Sequence, residues 1–294
     1  STQGVSSAAS DVYKRQNKRF ALVYGIMNED LGIKEILEWY LTAGVDETCG
    51  EVPFALAEPA KEMPRIVPAT VSAAVRPAEN SARPAMTELA QATINACQSA
   101  RELCQKAETL EELKKMVEEF DGCALKLTAN KTVFGYGSGT ARLLLIGEAP
   151  GADEDRSGIP FVGRSGQLLE KMLKAIGFDR NECFITNVLP WRPPGNRTPT
   201  EGEIAVCLPF LKRQIDLVSP EAIMILGGSA ANALLDNGEP ISRMRGKWLE
   251  YKKSDGGKVP VLASFHPAYL LRNSGQKAKA WVDMLRMKQK LCNN

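Results

Sequence analysis

The sequence predicts an α/β protein, a three-layer α/β/α arrangement around a central four-stranded parallel sheet. Three observations point there. First, RLLLIGEAPG (142–151), ECFITNVLPW (182–191), EAIMILGGSA (221–230) and VPVLASF (259–265) each hold a short continuous apolar core. Second, stretches with helical spacing separate them, among them GQLLEKMLKAIGF and TEGEIAVCLPFLKRQIDLV. Third, the apolar cores do not alternate with polar residues, which is the pattern of strands covered on both faces by helices.

The elements follow in chain order. The opening STQGVSSAASDVYKRQ begins without Met and shows no periodicity, so it is left out of the fold reading. Within residues 1–51, Leu31, Ile33, Ile36, Leu37, Tyr40 and Leu41 recur at helical spacing up to Gly44, predicting one amphipathic helix over 29–43. One such helix cannot bury its own face, so it needs a partner surface. Residues 52–86 turn to Ala, Pro, Val and Ser, with Pro53, Pro59, Pro64, Pro68, Pro77 and Pro84, and read as an extended, disordered linker. The domain expected to carry the function spans 87–294. It opens with helices over about 87–107 and 109–120, the second begun by Thr109 with Glu112 three residues on, a capping box. The strand and helix alternation follows.

With 44% apolar and 24% charged residues, the chain has the composition of an ordinary globular protein with a sizeable core. It has no run of 18 apolar residues and no charged-then-apolar leader pattern, so the expectation is a cytoplasmic protein, monomeric and without membrane contact. Seven cysteines without a C-x-x-C pair fit reduced thiols better than a disulfide framework. The net charge of +2 hides an asymmetry: residues 231–294 hold twelve Lys/Arg against five Asp/Glu, a footprint suited to a polyanion.

In an open parallel sheet, ligands bind beyond the carboxyl ends of the strands. The segments there are GEAPG, TNVLPWRPPGNR, GGSA and HPAYLLR, which gather a carboxylate, two asparagines and His266, the chain's one histidine. In the first loop, Gly147 and Gly151 allow close backbone approach, while Glu148, Asp153, Glu154 and Asp155 crowd acids around it. Like charges repel, so this loop suits a neutral ligand and a positioned water better than a phosphate.

In this order and spacing, GEAPGADEDRSGIPFVGRSGQLL, ITNVLPWRPPGNRTPT and FHPAYLLR resemble the three signature segments of the family 4 uracil-DNA glycosylases, over about residues 120–290. The resemblance implies a domain that binds single- or double-stranded DNA, rotates a uracil out of the stack and hydrolyses its N-glycosidic bond. It implies that Glu148 positions or activates the water, with Glu154 as a second acid and Asn196 near the water and sugar. Ala149 and Phe161 would contact the base, Phe161 by stacking, while Asn187 reads its amide edge and His266 bonds its oxygen. Leu270 or Leu271 would fill the hole left by the base. Arg272 would meet phosphate, with Arg245, Lys247 and Lys277 as further phosphate neighbours. The resemblance does not reach the N-terminal helix, whose apolar face would dock on the main domain or on a protein partner.

The family's iron-sulfur cluster takes four cysteines, and here only Cys123 and Cys207 stand at those positions, with Lys126 and Trp191 at the other two. Two thiolates are too few for a four-iron cluster, so neither cofactor nor metal is expected. The competing readings are a glycosylase for another deaminated base, such as hypoxanthine, and a non-catalytic module that binds damaged DNA.

Overall fold

The structure is a computed structural model that describes residues 82–292, with side-chain surroundings from residue 90. The helix expected at 29–43 and the linker as far as residue 81 lie outside the described residues. Helix α1 (Ala82–Lys106) begins inside the stretch that composition marks as linker. The reason is local: Pro84 sits in its first turn, where a missing N–H breaks no intrahelical bond. Helix α2 (Leu110–Glu119) starts at the expected capping box, Thr109 Oγ1 accepting from Glu112 N at 3.1 Å while Glu112 Oε2 accepts from Thr109 N at 3.3 Å.

The sheet has six strands in the order β1-β3-β2-β4-β6-β5. Its centre is the expected parallel group, β3 (Phe184–Asn187), β2 (Leu143–Gly147), β4 (Ala222–Leu226) and β6 (Lys258–Ser264). Two antiparallel edges are added: β1 (Tyr136–Gly137) against β3, and β5 (Trp248–Lys252) against β6. β1 is two residues long. β5 buries only Tyr251 fully and exposes Trp248, Glu250 and Lys252, the alternation of a strand with one wet face.

Parity divides the apolar side chains of the central strands between two layers. Leu144, Ile146, Ile223, Ile225, Val261 and Ala263 join one core with Leu113 and Val117 of α2 and with Phe210 and Leu211 of α5 (Glu201–Val218). On the opposite face lie Leu143, Leu145, Met224 and Leu262. Helices α4 (Arg164–Ala175) and α9 (Lys277–Cys292) cover that side, burying Leu169, Met172, Met284 and Met287. Burial of each such side chain is worth about 1.5–3 kcal/mol, which anchors the strands firmly enough to hold the loops at their ends.

Those loops are short. β2 runs into GEAPG and then α3 (Ala152–Ser157); β3 runs into a 3-10 turn at Pro194–Asn196; β4 runs into α6 (Gly228–Leu235). α7 (Ile241–Met244) precedes β5, and β6 ends two residues before α8 (Pro267–Arg272). Because the four central strands are parallel, all of their carboxyl ends open on one rim.

Candidate active site

A cavity of about 350 Å³ opens on that rim, and Glu148, Ala149, Glu154, Phe161, Asn187, Asn196, His266 and Arg272 line it. Register brings the first two loops together: Gly147 pairs with Asn187, and the ladder continues through Val188 N to Gly147 O at 2.9 Å and Leu189 N to Glu148 O at 3.1 Å. The Glu148 turn is therefore fixed to the chain that carries Asn187. Its half-buried carboxylate makes no hydrogen bond or ion pair with the described residues, which leaves both oxygens for a ligand or water.

Asn187 is 5% exposed, and its Oδ1 is buried without a hydrogen-bond partner. An unmet acceptor of this kind costs about 1–3 kcal/mol, a cost that a donor entering the cavity would offset. Beside it stands Phe161, 3% exposed and in the left-handed backbone region at φ 53°. The Phe161 ring lies 5.6 Å from the imidazole of His266, tilted by 31°.

His266 caps α8. Its Nδ1 accepts the Ala268 N–H at 3.1 Å, and Pro267 occupies the first helical position, where its fixed φ suits the turn. An accepting Nδ1 leaves the proton on Nε2. Burial pushes the imidazole pKa down to about 4, the Arg272 charge pushes the same way, and Glu154 opposes weakly. The ring is neutral at pH 7, with an N–H to donate.

Glu154 departs from the expectation of a second reactive acid. It is 7% exposed; Oε1 accepts from Val162 N and Gly163 N, both at 2.9 Å, and Oε2 accepts from Gly151 N at 3.1 Å. Three backbone bonds commit the carboxylate to holding the loop. Asn196 lies exposed at the mouth with φ 55°, and its Oδ1 accepts a hydrogen bond from Arg192 Nε at 2.8 Å. Ala149 forms part of the wall.

Of the residues expected to meet DNA, Arg272 lines the cavity and is exposed, and Leu271 and Lys247 are exposed. Leu271 is 40% exposed whereas Leu270 is 1% exposed, because the short α8 turns Leu270 onto α4, so Leu270 is removed from the wedge expectation. Arg245 is also corrected. Its guanidinium bonds the buried carboxylate of Asp283 at 2.5 and 3.1 Å and the Lys279 carbonyl at 2.7 Å, and it lies 5.5 Å from the Phe265 ring centre. Asp283 in turn accepts the Ser264 hydroxyl at 2.8 Å, so the network braces the end of β6. Lys277 is 7% exposed and hence buried away from a polyanion.

The residues that sequence reasoning missed include Tyr269 and Arg197 in the cavity wall and Arg180 behind it. Tyr269 carries a signal in the sequence, three residues after His266 in HPAY. Arg180 gave no signal, being one arginine in an ordinary connecting loop.

The four positions at which the resemblance places cluster thiolates do not offer four thiols. Cys207 Sγ and Cys123 Sγ face each other at 4.0 Å, and their hydrogen bond lowers the Cys123 pKa and raises that of Cys207. Lys126 Nζ pairs with Asp121 at 2.7 Å. Trp191 is 1% exposed, and its indole N–H bonds Thr132 Oγ1 at 3.1 Å. This donor set does not fit a cluster that needs four thiolates, and no group of three or more metal-binding side chains occurs among the described residues.

Residues 134–286 match the sequence profile of the Uracil DNA glycosylase superfamily. The Type-4 uracil-DNA glycosylase of Thermotoga maritima is 40% identical over 177 residues, 58% of this chain and 90% of the relative. The Archaeoglobus fulgidus Type-4 enzyme is 42% identical over 168 residues, 55% of this chain and 84% of the relative. A Type-5 uracil-DNA glycosylase of Pyrobaculum aerophilum is 30% identical over 156 residues, 48% of this chain and 67% of the relative. The profile covers more than half of the chain and spans the strands and loops that build the cavity, and the alignments take in 84–90% of these two Type-4 relatives: the chain belongs to the uracil DNA glycosylase superfamily, on its Type-4 side.

Proposed function

We propose that this chain excises uracil from DNA by hydrolysing the N-glycosidic bond, leaving an abasic site as the first step of base excision repair. The observation that carries this reading is the buried, unpartnered Asn187 Oδ1 in a cavity that also holds the Phe161 ring and the neutral His266. Uracil presents an N3–H that Asn187 can accept and an adjacent carbonyl that its amide N–H can bond. Cytosine presents an unprotonated N3 and an amine, so it leaves the same amide mispaired. The Phe161 ring supplies the apolar plate an everted base needs.

Breaking the bond puts positive charge on the deoxyribose and negative charge on the departing base. The His266 Nε2 proton is offered where charge grows on a uracil oxygen, and a neutral imidazole donates it without giving it up. Glu148, with both oxygens unspent, faces the sugar, favours its positive charge and orients a water. The water oxygen bonds C1′, its proton passes to the carboxylate, and the C–N electron pair leaves with the base. Glu154 acts through the loop it ties together. Leu271 is the side chain available to fill the vacated stack, and Arg272 and Lys247 are the phosphate contacts.

The chemistry needs no metal, and we propose that no iron-sulfur cluster is bound, Trp191 and the Lys126–Asp121 pair occupying the space its other two ligands would use. We also retain as proposals that the catalytic unit acts as a cytoplasmic monomer and that the helical pattern at 29–43 docks on a protein partner. No helix among the described residues is long and apolar enough to cross a membrane.

The test is an oligonucleotide carrying one uracil. Excision leaves an alkali-labile site, and release should be absent from matched cytosine and thymine strands. Tight binding without base release over long incubation would support a non-catalytic module instead. Faster release of hypoxanthine than of uracil would change the assigned base.

A further inference from the structure

The Phe161 plate occupies a backbone conformation that a bulky residue rarely takes. At φ 53° its side chain crowds its own peptide, so the surroundings have to hold it there. They do so from two sides. On the inner side, Glu154 Oε1 takes the N–H groups of Val162 and Gly163. On the outer side, Arg180 Nη1 donates to the Phe161 carbonyl at 2.7 Å and Nη2 donates to the carbonyl of Pro160. Gly166 completes the seat, because a Cβ there would fall 1.8 Å from the Phe161 carbonyl oxygen.

Arg180 is itself fixed. It begins a 3-10 turn at Arg180–Glu182, capped by Asp179, whose Oδ1 accepts Asn181 N at 2.8 Å. Its guanidinium stacks 5.1 Å from the centre of the Tyr136 ring, and Tyr136 O–H bonds Asn181 Oδ1 at 2.6 Å. Arg180 has no carboxylate within 4 Å among the described residues, and burial lowers its pKa. A partly desolvated charge is costly, and here it is spent on two adjacent carbonyls of a single strained turn. Such an arrangement is out of proportion to general stability and in proportion to the geometry of one ring.

We propose that Arg180 is a positioning residue for the base-stacking plate: it grips the 160–161 peptides against Glu154 and so fixes the Phe161 ring at the angle and distance from His266 that an everted pyrimidine requires. Its planar fork spans two carbonyls, so lysine, a single-point donor, cannot replace it fully. This inference rests on the glycosylase reading, and its test keeps the two apart.

Wild type, Arg180→Gln, Arg180→Lys, Phe161→Ala and the Arg180→Gln/Phe161→Ala double variant are compared in steady-state excision of uracil from a single-stranded oligonucleotide. Amide hydrogen exchange is followed in parallel over residues 158–164. Arg180→Gln should reduce kcat/KM by roughly ten- to a hundredfold, mainly through KM, with Arg180→Lys recovering part of it. In the Phe161→Ala background the same change should alter kcat/KM by less than about twofold, because the ring through which it acts is gone. Exchange at Val162 and Gly163 should quicken while the middle of α4 stays protected.

An equal loss in the Phe161→Ala background would overturn the proposal in favour of plain stabilisation. Unchanged exchange at 158–164 in Arg180→Gln would overturn it whatever the activities. A wild-type chain that releases no uracil refutes the glycosylase reading alone, and the exchange measurement still judges the grip.

Discussion

The neutral His266 makes a quantitative prediction about pH. With a midpoint of about 4, roughly one molecule in a thousand carries the imidazolium at pH 7 and about one in ten at pH 5. An unperturbed histidine, at about 6.5, would be protonated in about a quarter of molecules at pH 7 and nearly all at pH 5. The perturbation is the replacement His266→Gln, whose amide offers an N–H but does not titrate. Single-turnover excision is measured for both proteins from pH 8 to pH 4, and their ratio isolates the imidazole from every other ionising group. If the neutral ring is the donor, the ratio stays flat from pH 8 to about 5 and falls below that.

Stability should follow the same residue. The folded pKa lies below the unfolded one, so the native chain holds this proton less tightly. The contribution is whole above about 6.5 and drains away as the pH drops towards about 4. At full loss it is about 3 kcal/mol, discounted to the extent that the ring keeps some contact with water. Urea midpoints for wild type should therefore decline more steeply over that window than those of His266→Gln. A wild-type to variant activity ratio that climbs as the pH falls from 8 to 5 would refute the neutral donor, since it would mean that the charged ring is the working form.

Other expectations are equally open to measurement. Glu148→Gln should slow single-turnover excision by about 10²- to 10⁴-fold while leaving the melting temperature near that of wild type, because the carboxylate has no partner to lose. Trp191→Ala should cost about 3–5 kcal/mol and lower the melting temperature by about 10 °C, read by calorimetry. Iron analysis of the same wild-type preparation should find far less than one atom per chain, and four would overturn the assignment. Lys247→Ala and Arg272→Ala should each flatten the salt dependence of DNA binding by about one unit of log–log slope, whereas Arg245→Ala should leave the slope alone and destabilise the fold by exposing Asp283 to an unpaired burial.

The four central strands were legible because burial on both faces leaves a mark that few other structures share, a run such as LLLIG without a polar interruption. The two edge strands carried no such mark. WLEYK reads as an alternating stretch of no particular address, and two residues at Tyr136 carry no periodicity. Residues whose work is done by a side chain facing a ligand, Glu148, Asn187 and His266, could be picked out by chemical type and loop position. Glu154 could be found but not understood, since its three backbone partners are set by how the chain doubles back between Gly151 and Gly163. The same limit applies to Arg245, Lys277 and Leu270: charge and apolarity are visible in a string of letters, whereas the direction in which a short helix turns its side chains depends on what packs beneath it.

Gly147 closes β2 with no side chain, and a Cβ there would come within 2.4 Å of Asn187 Oδ1 and 2.6 Å of the Phe161 ring. The amide and the ring thus rest directly on bare peptide. Asn187 is held from the first loop by the pitch between two hydrogen-bonded strands, about 4.8 Å, a dimension common to all sheets. Any side chain at 147 would lift the amide and the ring together, so the depth of the recess hangs on one glycine while its sides and lip are free to vary.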